Sequence, residues 1–144
     1  MVVFDQEICS GIWKFSALAT KWSQQFGIGI IDSNIVEIPH PYQYNVQLDN
    51  DSICYVGRSL FIKGTPIVDF NNKEITSGDQ VSAIVDLTFQ PPAFCLMINN
   101  KTQPFSVISV PDRNSKDEWK FQSLEELTGF DQSGIETKKQ FKYV

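Results

Sequence analysis

Few residues of this chain have the type and spacing that chemistry needs. His40 is the only histidine, and it stands between Pro39 and Pro41. General-base or metal work would require a nucleophile or a second ligand spaced for it. None is, so His40 reads as a surface residue. The three cysteines, Cys9, Cys54 and Cys95, each stand alone among strand-like residues. An odd count without CxxC spacing predicts reduced, buried thiols in a cytosolic protein rather than disulfides or zinc. Gly27-Ile28-Gly29 begins like a phosphate cradle, but no third glycine follows and Ile30-Ile31-Asp32 opens no helix. Asp49-Asn50-Asp51 and Asn71-Asn72 carry the oxygen side chains that calcium takes. No carboxylate pair, Cys–His couple or metal cluster is spaced for catalysis, so neither an enzyme nor a cofactor is expected. What remains is recognition chemistry. Tyr42, Tyr44 and Arg58 supply two rings and a fork-shaped donor, types enriched at binding hot spots. Taken singly, each also reads as ordinary loop packing.

The elements that must position these residues are strands. Ser77-Gly78-Asp79 has turn chemistry, with glycine for backbone freedom and two side chains that bond back to the main chain. Val81, Ala83, Val85 and Leu87 then alternate with Gln80, Ser82, Asp86 and Thr88, interrupted only by Ile84, which predicts a strand with one buried face. Phe89-Gln90-Pro91-Pro92 breaks the pattern, since proline cannot donate to a ladder. Residues 93–98 form an unbroken apolar run, expected to be covered on both faces. Asn99-Asn100-Lys101 reads as a turn, and residues 104–110 as a third strand of an antiparallel meander.

Upstream, Trp13 and Phe15 alternate with Lys14 and Ser16, placing two large rings in a core. Phe26, Ile28 and Ile30 share a face opposite Gly27 and Gly29, and glycines so placed mark close approach of a backbone or a bulky ring, here Trp13 or Trp22. Residues 32–51 read as a loop. Residues 53–56 and 60–62 are short strands hinged at Gly57-Arg58-Ser59, and Lys63-Gly64-Thr65-Pro66 turns again. After Pro111 the character changes. Ser123-Leu124-Glu125-Glu126 is a capping box that predicts a short helix ending at Gly129, and Phe141 and Tyr143 alternate in a last strand.

The 144 residues suit one domain with a sizeable core. A formal charge of −5 and no basic stripe argue against nucleic acid, and Lys138, Lys139 and Lys142 read as a solvated face. No apolar run approaches the ~20 residues needed to span a bilayer. Asp5 and Glu7 break the pattern of a secretory leader, which leaves the Asn50-Asp51-Ser52 and Asn100-Lys101-Thr102 acceptor patterns as chance matches. A cytoplasmic protein without membrane association is expected.

Four segments in order resemble one family. Gly11, Trp13 and Phe15 form a Gly-x-Trp-x-Phe strand, and Phe-Gly-Ile-Gly-Ile-Ile follows at 26–31. Gly-Asp-Gln-Val at 78–81 leads to Val85-Asp86-Leu87, and Cys-Leu-Met-Ile-Asn-Asn ends the series at 95–100. With the hairpin-like Tyr55-Val56-Gly57-Arg58 and Leu60-Phe61-Ile62-Lys63-Gly64, the chain resembles the SPRY domain over about residues 11–111. It departs from the family at Asn99-Asn100, where Asn-Gly is usual, and after Pro111, where the closing strand is not evident unless residues 119–121 replace it. The resemblance implies an all-β fold, an antiparallel two-sheet sandwich of concanavalin-like jelly-roll type over residues 1–122. Residues 123–144 then form a C-terminal extension with a short helix and a last strand. It also implies a non-catalytic module that binds a peptide or loop of a partner protein through loops at one end. Two other classes stay open. One is a lectin-like carbohydrate binder, for which the Asp and Asn clusters would be ligands. The other is an assembly module that uses residues 116–144 as its contact element.

Overall fold

The computed structural model describes residues 7–20, 26–32, 52–67, 71–110, 119–120, 124–126, 130, 132–136 and 138–143. Strands β1 (Glu7–Ile8) and β10 (Trp119–Lys120) pair as a small antiparallel ribbon, so Trp119 takes no place in either main sheet. The larger sheet has six strands. Its centre is β2 (Ile12–Leu18), β7 (Gln80–Asp86), β8 (Ala93–Ile98) and β9 (Lys101–Ile108), each antiparallel to the next. The smaller sheet is an antiparallel meander of β3 (Gly27–Ile31), β4 (Ser52–Val56), β5 (Ser59–Ile62) and β6 (Thr65–Ile67). The architecture is therefore all-β, with two mostly antiparallel sheets.

Alternation places the core between these sheets. Ile28, Ile30, Ile53, Tyr55, Leu60 and Ile62 of the smaller sheet meet Val81, Ala83, Val85, Phe94, Leu96, Ile98, Phe105 and Val107 of the larger one. The Tyr55 and Phe105 rings stack across the interface with centroids 5.7 Å apart, a geometry that adds to the area they bury. Trp13, Phe15 and Phe26 pack against this core but remain half-buried. For the two rings of β2 the reason is width, because four strands cannot fully cover six.

The neighbour of Gly29 is a backbone, not a tryptophan. A Cβ there would collide with the Ile53 carbonyl oxygen and come within 2.9 Å of the Cys54 Cα on β4. The turns are tighter than the composition suggested. The β8–β9 turn uses only Asn99 and Asn100, at φ 51° and 60°, the left-handed pair of a type I′ hairpin. Asparagine tolerates that region, so Asn100 does the work of the usual glycine, and β9 begins at Lys101. Likewise Lys63 and Gly64 alone form the β5–β6 turn, and Thr65 and Pro66 already belong to β6.

The C-terminal residues are woven into the larger sheet. Leu124–Glu126 forms strand β11, paired with β2, where the capping box predicted a helix. Three ladder partners along β2 outweigh a local cap that stabilises an isolated helix end by about 1 kcal/mol. One helical turn occurs later, at α1 (Ser133–Glu136). Strand β12 (Lys139–Lys142) then pairs with β9 in parallel. Thus β11 and β12 are the two edges of one sheet, and described residues between them, Phe130, Gln132 and Ile135, lie as a strap on its outer face. Ile135 of the strap is 1% exposed and packs with Ile84, Ala93 and Cys95 in a second, smaller apolar cluster. That contact explains why Ile84 interrupts the alternation of β7, and why β7 is buried on both faces rather than one.

Candidate recognition site

One end of the molecule gathers the β4–β5 turn, residues 71–79 and the β8–β9 hairpin tip. Arg58 lies in that first turn, beside Gly57 at φ 63°, and is exposed. The turn is fixed from two sides, since the Gly57 amide donates to the Phe26 carbonyl (3.1 Å) and the Ile75 amide to the Gly57 carbonyl (2.8 Å). Residues 71–79 bridge the two sheets. The Tyr55 hydroxyl donates to the Lys73 carbonyl (2.6 Å), and the Lys73 amide donates to Gln103 Oε1 on β9 (2.9 Å).

Asp79 is the hub of this end. Its Oδ2 accepts from Lys73 Nζ (2.7 Å), the Thr76 amide (2.8 Å) and the Thr76 hydroxyl (3.0 Å). Its Oδ1 accepts from Asn99 Nδ2 at the hairpin tip (2.7 Å). Bonding to Lys73, followed by the Thr76 amide, holds the Asp79 carboxyl well below the usual carboxylate range. Gly78, at φ 92°, turns the chain so that its amide reaches the Ala19 carbonyl (2.7 Å) while the Ala19 amide donates to the Asp79 carbonyl (2.8 Å). The Gly78-Asp79 pair therefore has a physical purpose, locking the entry of β7 to the exit of β2 and to the β8–β9 tip.

Electrostatically this end is mixed. Burial pushes the Tyr55 hydroxyl up to about 12, with Arg58 pulling down and Glu74 pushing up, so Tyr55 stays a hydrogen-bond donor. Leu18, at the end of β2 beside Gln80, is 61% exposed, the one large apolar side chain so exposed among the described residues. Arg58 is exposed on this braced turn, whereas Leu18 is exposed on the outer side of β2.

Of the residues selected from the sequence, Arg58 is placed here, whereas Tyr42 and Tyr44 lie outside the described residues, as do His40 and Asp49-Asn50-Asp51. Asn72 is buried and its Oδ1 has no hydrogen-bond partner, while Asn71 is exposed. No group of three or more His, Cys, Asp or Glu among the described residues is arranged to hold a metal ion. Cys54 and Cys95 are pushed up by burial to about 12 and about 11, so both are neutral thiols at physiological pH, not nucleophiles. Sequence reasoning missed Lys73, Asn99 and Gln103, whose partners are 6 to 30 residues away. It also missed Leu18, although its position shares the outward side of Lys14 and Ser16 on β2.

The chain matches no family model and no curated protein.

Proposed function

We propose that this chain is a SPRY-like, non-catalytic interaction module that binds a peptide or loop of a partner protein through the loops at the Arg58 end. The observation that carries the reading is the bracing of that end by Asp79. A backbone held by four side-chain bonds loses little further freedom on binding, so a partner meets a pre-ordered surface. Arg58 suits a carboxylate or carbonyl of the ligand. Tyr42 and Tyr44, chosen by residue type, are the proposed aromatic anchors. No metal or cofactor takes part. A reducing, cytoplasmic setting fits three free cysteines, one of them, Cys9, exposed.

Peptide display on the purified protein tests the reading. Selected peptides should lose more than about 1 kcal/mol of affinity when Tyr42, Tyr44 or Arg58 is replaced by Ala, with the fold intact. Peptides that bind the triple-Ala variant equally well would place the site elsewhere. An empty selection combined with calcium-dependent retention on a sugar column would replace the module by a lectin.

A further inference from the structure

The Asp79 hub has chemical content beyond bracing, because it brings an amine, a carboxamide and a carboxylate together. Lys73 Nζ lies 2.7 Å from Asp79 Oδ2, and Asn99 Nδ2 donates to Asp79 Oδ1 at 2.7 Å. The two nitrogens therefore flank a single carboxylate, one on each oxygen. That carboxylate is held in place, since Oδ2 also accepts from the Thr76 amide (2.8 Å) and hydroxyl (3.0 Å). The side-chain carbonyl of Asn99 has its own donor, the Gln80 amide, 2.9 Å from Oδ1. The main chain supports the same placement. Asn99 sits in the left-handed hairpin turn at φ 51°, and its amide donates to the Gln80 carbonyl at 2.8 Å.

These are the parts of an intramolecular acyl transfer. A lysine side chain is a nucleophile once it is a neutral amine. A carboxylate between nucleophile and leaving group can carry protons from one to the other. A backbone N–H on the carbonyl oxygen stabilises the charge that develops there. The Lys73 side chain is 46% exposed and that of Asp79 only 9%, so the shuttle is fixed while the nucleophile has room to move. Lys73 Nζ needs to pass from Oδ2 to within about 3–3.5 Å of the neighbouring Asn99 Cγ.

We propose that Lys73 and Asn99 become joined by an isopeptide bond, which the chain forms on itself with Asp79 as the proton shuttle. Asp79 Oδ2 takes a proton from the Lys73 ammonium, and the freed amine adds to Asn99 Cγ. The Gln80 amide holds Oδ1 as it becomes an oxyanion. The tetrahedral centre then collapses, breaking the Cγ–Nδ2 bond and keeping the new Nζ–Cγ bond. Two protons in all pass from Nζ to Nδ2, which leaves as ammonium, so neither oxidant nor co-reactant is consumed. Lys73 and then the Thr76 amide hold the Asp79 carboxyl well below its usual range, which makes the first transfer uphill and the reaction slow. It occurs once per chain and acts on no external substrate, so it is independent of the Arg58 reading. The product clamps residues 71–79 to the β8–β9 tip covalently.

The test is intact-mass spectrometry of the purified full chain, incubated at pH 9 over days to weeks. The mass should fall by about 17 Da, the ammonia lost when a lysine amine displaces an amide nitrogen. Trypsin should then stop cutting after Lys73, and residues 64–101 should appear as one peptide lighter by the same amount. The unfolding midpoint should rise by roughly 5–10 °C, the scale expected of a cross-link that closes a loop of this size. Lys73→Arg keeps a cation beside Asp79 without an amine, and it should lose no mass while its circular dichroism stays native. Asp79→Asn should slow the loss at least about a hundredfold, as removal of an acid–base group does. Three results would overturn the proposal: a parent mass that never falls, a loss that persists in Lys73→Arg, or a loss that leaves cleavage after Lys73 intact. The last two would mark a cyclic imide of Asn99 with its own backbone, which also releases ammonia. None of these measurements involves a ligand, so they leave the Arg58 reading to its own test.

Discussion

At the scale of single residues, Asp79 shows how one carboxylate organises a surface. Four side-chain hydrogen bonds converge on it from residues 3 to 20 positions away. The sequence marked the residue only as part of a turn and a Gly-Asp pattern, because a hub is defined by partners that the chain brings back from a distance. Since the folded Asp79 is held below its ordinary range, its stabilisation is complete above the unfolded value of about 4 and fades as pH falls toward the folded value. Asp79→Asn should therefore lower stability at pH 7 by about 1.5–3 kcal/mol, the scale of hydrogen bonds to a charged group. The gap to the parent protein should narrow below pH about 4. Urea titrations of both proteins at pH 7 and pH 3 measure this, and a gap of equal size at the two pH values would refute the assignment.

At the scale of elements, the pairing of β3 with β4 depends on a missing side chain. Gly29 sits opposite Cys54, and any Cβ would strike the β4 backbone, which cannot step aside as a side chain can. Gly29→Val should cost about 1–3 kcal/mol or more despite valine's preference for strands, as overpacking does. A raised unfolding midpoint for that variant would mean that the two strands do not meet in this register. The glycine's significance was legible in the sequence, but the identity of its neighbour was not. Period-2 patterns likewise announced β7 and the inward faces of β3 and β2, because a strand's own alternation reports which side is buried, and an unbroken apolar run announced β8 as covered on both faces. β11 was not legible. A capping box is a local signal, and the partner that overrides it, β2, lies more than a hundred residues earlier. Of the candidate site, Arg58 was legible by residue type. The bracing around it was not, because it arises from the convergence of three separate turns.

At the scale of the whole molecule, the protein consists of a sandwich core and a strap, joined by one sheet. A core residue such as Leu96 is sealed between sheets, whereas Ile135 is buried against Ile84, Ala93 and Cys95 on the outer face of one sheet. The two clusters share no buried residue, though Phe141 and Tyr143 pack against the main one, and parts of a fold with uneven contact density can open separately. Amide hydrogen exchange at pH 7 should show this as two tiers. The amides of Lys139–Lys142 that pair with β9, together with that of Tyr143, which donates to the Ile108 carbonyl at 3.0 Å, should exchange at least about a hundredfold faster than those joining β7 to β8. The Lys63 ammonium lies 4.7 Å from the Tyr143 ring centroid and ties the end of the strap region to the β5–β6 turn. Lys63→Ala should widen the gap between the tiers by speeding the β12 amides alone, since a cation over a ring contributes about 0.5–1 kcal/mol at an exposed site. Uniform exchange across β7, β8 and β12, unchanged by Lys63→Ala, would make strap and core one cooperative unit.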